Sequence, residues 1–237
     1  MRNCDYTKVK ALKMKITKEF ITETTTKALI SLIPLIGGSV GSVLADVLAE
    51  RKQQRFNDFL TQIKEDLDLQ KEKINNEVVS KDDFLDIFEL TAKKVMEERN
   101  DVKRLAYKNI IVNGLINDNA NFDDIEQCVR LIENTTEKNI YLLKVLSDPE
   151  GHNKSLGSPV SKPNGNMVTT TLSKVMQQLL PGWQGGQILE NLKDLEFLGL
   201  ILPISDHFQD MITANGLSPV VNSLTLKGQR FADYLKS

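Results

Sequence analysis

The last third of the chain carries the pattern that most restricts its fold. Two helical patterns flank a turn rich in Gly and Pro, and two strand patterns then flank a loop. In chain order the predicted elements are a helix at 172–180, a turn at 181–186, a helix at 187–198, strands at 200–204 and 220–226 around a loop at 205–218, and a helix at 227–236. This is the order of a winged helix-turn-helix with a small β-hairpin wing.

The chain before this region consists of helical patterns. Apolar residues recur there at spacings of three and four, which is typical of helices with one buried face. The predicted helices lie within 6–31, at 38–73, after an N-cap at Ser80, after an N-cap at Asp101, at 122–133 and at 136–146. The 237 residues are 41% hydrophobic, enough for one large or two small domains. We therefore predict a mostly α protein, with a helical bundle at 1–135 and a winged-helix domain at 136–237.

A compositional break lies inside the second predicted domain. Residues 148–166 read DPEGHNKSLGSPVSKPNGN, in which Pro, Gly, Ser and Asn dominate and few side chains could anchor a core. Such a composition is typical of loops. We predict a flexible loop at 148–166.

An uncharged segment near the N-terminus, at 28–45, allows two interpretations. Its helical pattern is broken by Pro and Gly, and three small residues spaced four apart would form a smooth ridge on a helix. The residues concerned are Pro34, Gly37, Gly38, Gly41 and Ala45. The ridge suits close packing in a bundle or between copies of the chain. The basic stretch before it also suits contact with anionic lipid, although the segment is too short to span a membrane twice.

The predicted recognition helix at 187–198 has little positive charge. It carries Glu190, Asp194 and Glu196 against Lys193 alone, and the whole chain has a net charge of −2. DNA-binding winged helices need Lys and Arg to neutralise phosphates. The predicted interaction face consists of Trp183, Gln184, Gln187, Asn191, Lys193 and Asp194. We predict that it binds a protein partner or a second copy of the chain. The alternative is a DNA-binding regulator, in which Gln184, Gln187 and Asn191 contact base edges.

The residues of catalytic and metal sites are scarce. The chain has two Cys and two His, and Asp206-His207 has no nucleophile motif beside it. The Gly-rich run at 37–42 lacks the Lys of a phosphate-binding loop. We therefore predict no enzymatic activity, cofactor, metal or small-molecule substrate. We expect a cytoplasmic location, with peripheral attachment to the inner membrane as the open alternative.

Several segments of the second half resemble a known family. These are 104–118, which reads RLAYKNIIVNGLIND, together with 122–125, 140–146, 192–201 and 224–231. In this order they resemble the abortive-infection alpha family of bacterial anti-phage proteins, over about residues 80–237. The resemblance implies a bacterial or phage-borne defence protein that acts by protein interaction or by harming the infected host. It carries over no catalytic residues, and the segment 28–45 lies outside it.

Overall fold

The computed structural model describes residues 43–70, 73, 82–117, 121–160 and 168–236, although not the side chains of 43–48 and 168. These residues are mostly helical, with a small two-stranded antiparallel sheet. The mostly α fold class is therefore confirmed. The chain divides into two compact units, with the boundary between Val129 and Arg130. The first helices are α1 (Val43–Leu69), α2 (Asp82–Glu97), α3 (Asp101–Ile116) and α4 (Phe122–Glu133).

In the first unit, α1, α2 and α3 pack against one another. The buried face of α1 carries Phe56, Phe59 and Ile63, at the spacing that places side chains on one side of a helix. Phe59 stacks on Phe88 of α2 with ring centroids 6.1 Å apart. These contacts form an apolar core of the kind that the periodicity predicts.

The second unit contains the remaining elements. They are α5 (Glu137–Ser147), α6 (Pro149–Ser155), β1 (Val168–Thr171), α7 (Leu172–Leu179), α8 (Gly185–Phe197), a short 3-10 turn (Ser205–His207), β2 (Met211–Ala214) and α9 (Leu226–Tyr234). Helix α5 packs against α6, α8 and α9, and α7 packs against α8 and β1. The core of this unit thus lies among α5, α7, α8 and α9.

The sheet differs from the predicted wing. Strand β1 pairs with β2 in antiparallel register, with Val168 opposite Ala214. Strand β2 lies inside the segment 205–218 that the sequence predicts to be a loop. The predicted strands 200–204 and 220–226 meet only at one bridge, between Ile201 and Leu224. One reason is Pro203, which has no N–H to donate to a longer ladder.

The prediction of a flexible loop at 148–166 is wrong over Pro149–Ser155, which form α6. The carboxylate of Asp148 accepts a hydrogen bond from the Gly151 backbone N–H at 2.9 Å, and Pro149 occupies the first turn. An Asp cap followed by Pro is a helix-start signal. The general composition of the segment obscured it.

Side-chain caps define several helix ends. The side chain of Asn100, rather than that of the predicted Asp101, caps α3 by accepting from the Lys103 N–H. Thr136 and Asn139 form a reciprocal capping box at the start of α5. For α4 the observed bounds match the prediction.

The predicted apolar segment falls largely outside the described residues. Pro34, Gly37, Gly38 and Gly41 are not among them, nor is the predicted helix within 6–31. Ala45 lies in the first turn of α1. Among the helices that the structure describes, none combines the length and apolar character needed to cross a membrane.

Candidate interaction surface

Helix α8 has one buried and one exposed side. Ile188, Leu192 and Leu195 are fully buried against the second unit. The opposite side repeats every three or four residues and forms what we call the α8 face, consisting of Glu190, Lys193, Asp194 and Phe197. The amphipathic pattern of α8 therefore presents a mixed-charge face that ends in an aromatic side chain.

The ring of Phe197 is the most exposed large apolar side chain of the α8 face. Its relative exposure is 91%, whereas Phe208 and Phe231 in the same unit are buried. Removing a Phe side chain fully from water contributes about 1.5–3 kcal/mol. Phe197 was not part of the predicted face. It lies among the mostly apolar residues 195–201, and this sequence gives no sign that its ring points outward.

Asn191 does not belong to the exposed face, so the prediction that its side chain is exposed there is wrong. Its relative exposure is 5%. Its Oδ1 accepts from Asn139 Nδ2 at 3.0 Å, and its Nδ2 donates to the Gln187 carbonyl at 2.8 Å. This pairing joins α5 to α8 and leaves the amide unable to read a base edge.

Trp183 lies at the turn before α8 in a cluster of rings. It stacks on Tyr141 of α5 with centroids 5.9 Å apart and planes 27° apart, and Lys138 Nζ lies 5.9 Å from the indole centroid. His152 meets Tyr141 edge-on, and its Nε2 lies 2.9 Å from the Leu179 carbonyl oxygen, so this nitrogen carries the proton. These contacts hold Trp183 half-buried, with Tyr141 still 42% exposed.

The other predicted residues of the face are placed as follows. Gln184 is exposed at the N-cap position of α8 and makes no side-chain cap bond, while Gln187 is half-buried. Lys193 and Asp194 are exposed on the α8 face. The structure thus separates the predicted set into the Trp183 end, the buried Asn191 and the exposed Lys193-Asp194 pair.

Glu196 has a structural partner. Its carboxylate accepts a hydrogen bond from the Ser205 backbone N–H at 2.6 Å and another from the Ser205 hydroxyl. Glu196 therefore holds the 3-10 turn against the end of α8. Hydrogen bonds to a charged acceptor are stronger than hydrogen bonds between neutral groups. The charged side chains of the α8 face are therefore two acids, Glu190 and Asp194, and one base, Lys193.

His207, the last residue of the 3-10 turn, pairs with Asp210 three residues later. A hydrogen bond from the ring to Asp210, Nδ1 to Oδ2 at 2.8 Å, raises the pKa of His207, and the Asp210 and Asp206 charges add to the rise. Because the folded pKa is raised, this interaction stabilises the fold at pH below the unfolded imidazole pKa. That contribution is lost as the pH rises through the folded pKa.

We expect the His207 imidazole to titrate above the ordinary value of about 6.5. Asp210→Asn should lower the midpoint, because it removes the charge that stabilises the imidazolium. The measurement is an NMR titration of the ring protons. The control is Asp233→Asn, which changes an acid that pairs with Lys236. A midpoint unmoved by Asp210→Asn would contradict the assignment.

Neither a metal site among the described residues nor a match to a known protein identifies what this surface binds. Among the described residues no three His, Cys, Asp or Glu side chains converge as a metal site would need. At a stringent significance threshold, no family model, curated protein or solved structure matches the chain. What the surface can bind therefore follows from its own residues.

Proposed function

We propose that the second unit is a winged-helix module that binds a protein partner through the α8 face. We propose further that the chain is a non-enzymatic defence protein of the abortive-infection type. The observation that carries the first proposal is Phe197, whose ring is 91% exposed on a face with two acids and one base. The resemblance of residues 80–237 to the abortive-infection alpha family supports the second.

The order and packing of the elements support the winged-helix interpretation. Helices α7 and α8 pack together on either side of a short turn, and α5 packs against α8. The Ile201–Leu224 bridge brings the chain back after α8, which is where a wing would begin and end. In this interpretation β2 is part of the wing and pairs with β1, the strand before the helix pair.

The composition of the α8 face favours protein over DNA. An aromatic side chain surrounded by charged residues of both signs is typical of a protein-interface anchor with a polar rim. A DNA-reading helix instead needs several bases to neutralise phosphates. The buried Asn191 also removes one of the three residues on which the DNA-binding alternative depends.

The test compares two exposed apolar residues of the second unit in a bacterial host challenged with phages. We expect Phe197→Ser to reduce protection by about tenfold or more, as loss of an interface anchor does. Met211→Ser is the matched control, because Met211 is 71% exposed on β2. Protection that survives Phe197→Ser would reject the α8 face as the binding site, and an unmodified chain that gives no protection would reject the defence role.

The DNA-binding alternative has its own measurement. We expect the full chain to produce no shift of duplex DNA that weakens with salt. A shift whose affinity falls steeply with salt, and falls further in Lys193→Ala, would show phosphate contacts at the α8 face. That result would show that the α8 face binds DNA rather than a protein partner.

The N-terminal segment supports a second part of the proposal. We propose that residues 28–45 mediate oligomerisation or membrane contact, on the basis of their small-residue ridge and missing charge. Gly41→Asp should then abolish either self-association or co-sedimentation with anionic liposomes, whereas Gly157→Asp, at an exposed position with open space around it, should not. An unmodified chain that is monomeric and does not sediment would contradict this part.

A further inference from the structure

Four exposed residues of α8 form a line whose spacing is the same in both directions along the helix. At about 3.6 residues per turn they lie within about 60° of one another around the helix axis. The line is on the side of α8 opposite its buried side chains. We call it the α8 stripe, and it consists of Gly186, Glu190, Lys193 and Phe197, separated by four, three and four positions.

The two ends of the α8 stripe have complementary shapes. Phe197, the last residue of the helix, presents an almost fully exposed ring. Gly186, in the first turn, is exposed and has no side chain, and a Cβ built there would meet no atom within 4 Å. Because glycine lets another group approach the backbone closely, the Gly186 end of one such helix can accept the Phe197 ring of another.

The middle of the α8 stripe carries two opposite charges without partners. Glu190 and Lys193 are only three positions apart, yet neither forms an ion pair or a side-chain hydrogen bond with any of the described residues. Asp194, beside the stripe, differs from them because its Oδ2 accepts from Asn139 Nδ2 at 3.4 Å. The Glu190 carboxylate and the Lys193 ammonium are therefore both available to a second helix.

An antiparallel pair of copies satisfies every position of the α8 stripe. When a two-fold axis passes midway between Glu190 and Lys193, Glu190 of each copy faces Lys193 of the other. The same axis places Phe197 of each copy against Gly186 of the other, because the spacing of the stripe is symmetric about that point. In a parallel pair each residue would face its own equivalent, which brings like charges together at a cost.

We propose that the α8 stripe binds a second copy of this chain as an antiparallel helix pair about a two-fold axis. This inference rests on the proposed function, because it names the protein that the α8 face binds. The pair has two ion pairs at its centre and one ring–glycine contact at each end. A contact between two helices of 13 residues buries less than the roughly 1,600 Å² of a standard interface, so the dimer dissociates readily.

The test measures self-association of the full chain by sedimentation equilibrium. We expect a monomer–dimer equilibrium with a Kd on the order of 100 μM, as for other small interfaces. Glu190→Lys and Lys193→Glu should each weaken dimerisation at least about tenfold, because each variant brings like charges together at two places. The control is Lys174→Glu, an equal change of charge at an exposed position of α7, which should leave dimerisation unchanged.

Two combinations of these variants test the antiparallel register. An equimolar mixture of Glu190→Lys and Lys193→Glu should associate about as well as the unmodified chain, because every charge again faces its opposite. The variant that carries both changes should associate with itself for the same reason. An unmodified chain that is monomeric up to about 1 mM, or association that none of the charge changes affects, would overturn the proposal. A mixture that does not associate would also overturn it.

The Phe197→Ser variant separates this inference from the proposed function. We expect it to weaken dimerisation at least about tenfold, whereas Met211→Ser, at the exposed position on β2, should not. If Phe197→Ser loses phage protection although the unmodified chain is monomeric, the α8 face binds a different protein and only the second copy is rejected. If Phe197→Ser loses dimerisation but still protects, the dimer stands and the proposed function of the α8 face is rejected.

Discussion

Gly228→Ala should destabilise the second unit by about 3 kcal/mol, the upper end of the usual cost of overpacking a buried site. A Cβ at this position would lie 1.8 Å from the Leu200 carbonyl oxygen. That oxygen belongs to the main chain and accepts hydrogen bonds from the Thr225 N–H and hydroxyl. The Gly228 N–H is itself bonded to the Thr225 hydroxyl at 3.0 Å. Neither backbone can move without breaking these bonds, so the collision cannot relax cheaply.

The matched control is Gly186→Ala, in the first turn of α8. A Cβ there meets no atom within 4 Å, and alanine has the higher helix propensity. We expect this change to be neutral or stabilising by up to about 1 kcal/mol. The measurement is urea unfolding followed by the fluorescence of Trp183, the one Trp of the chain, which reports on the second unit. Equal midpoints for the two variants would refute the close approach of α9 to Leu200.

Asp66→Ala should destabilise the first unit by about 3–5 kcal/mol, since it leaves a buried charge without its partner. Lys108 of α3 is 6% exposed, and its ammonium pairs with the Asp66 carboxylate of α1. The side chain of Asp66 is 31% exposed, so the pair is only partly screened by water. A charged ammonium in this position cannot regain its hydration without opening the contact between α1 and α3.

Two variants test this explanation. Asp66→Ala with Lys108→Met removes both charges and should restore much of the lost stability. Replacing a buried ion pair by apolar side chains often changes the free energy of unfolding little. Glu89→Ala breaks the exposed pair with Lys93 on α2 and should cost less than about 0.5 kcal/mol. Native-state hydrogen exchange of the α3 amides measures the local effect. A double variant as unstable as Asp66→Ala would show that lost packing, not the stranded charge, causes the loss.

Much of the helical structure was predictable because its signals are local. The apolar spacing in 122–133 and the Thr136 cap before α5 both depend on residues within one or two turns. The cap at Asp148 was equally local and could have been recognised from Asp-Pro. It was missed because the composition of the whole segment outweighed one short signal.

The candidate surface was predictable only in part. Lys193 and Asp194 were expected on the exposed side of α8, and they lie there. Asn191 was expected to be exposed because it is polar, and it is buried, whereas the exposed Phe197 was absent from the predicted face. The Asn139 amide, 52 positions earlier in the chain, makes burial of Asn191 favourable by satisfying its polar side chain.

The amino-acid sequence by itself determined that this chain is mostly helical, where most of its helices lie and which sides of them are apolar. Those properties follow from periodicity and capping, which act within a few residues. Only the tertiary structure decided that β1 pairs with β2 and that Asn191 is buried while Phe197 is exposed. These features depend on contacts between residues far apart in the chain, and such contacts leave no periodic signal at either end.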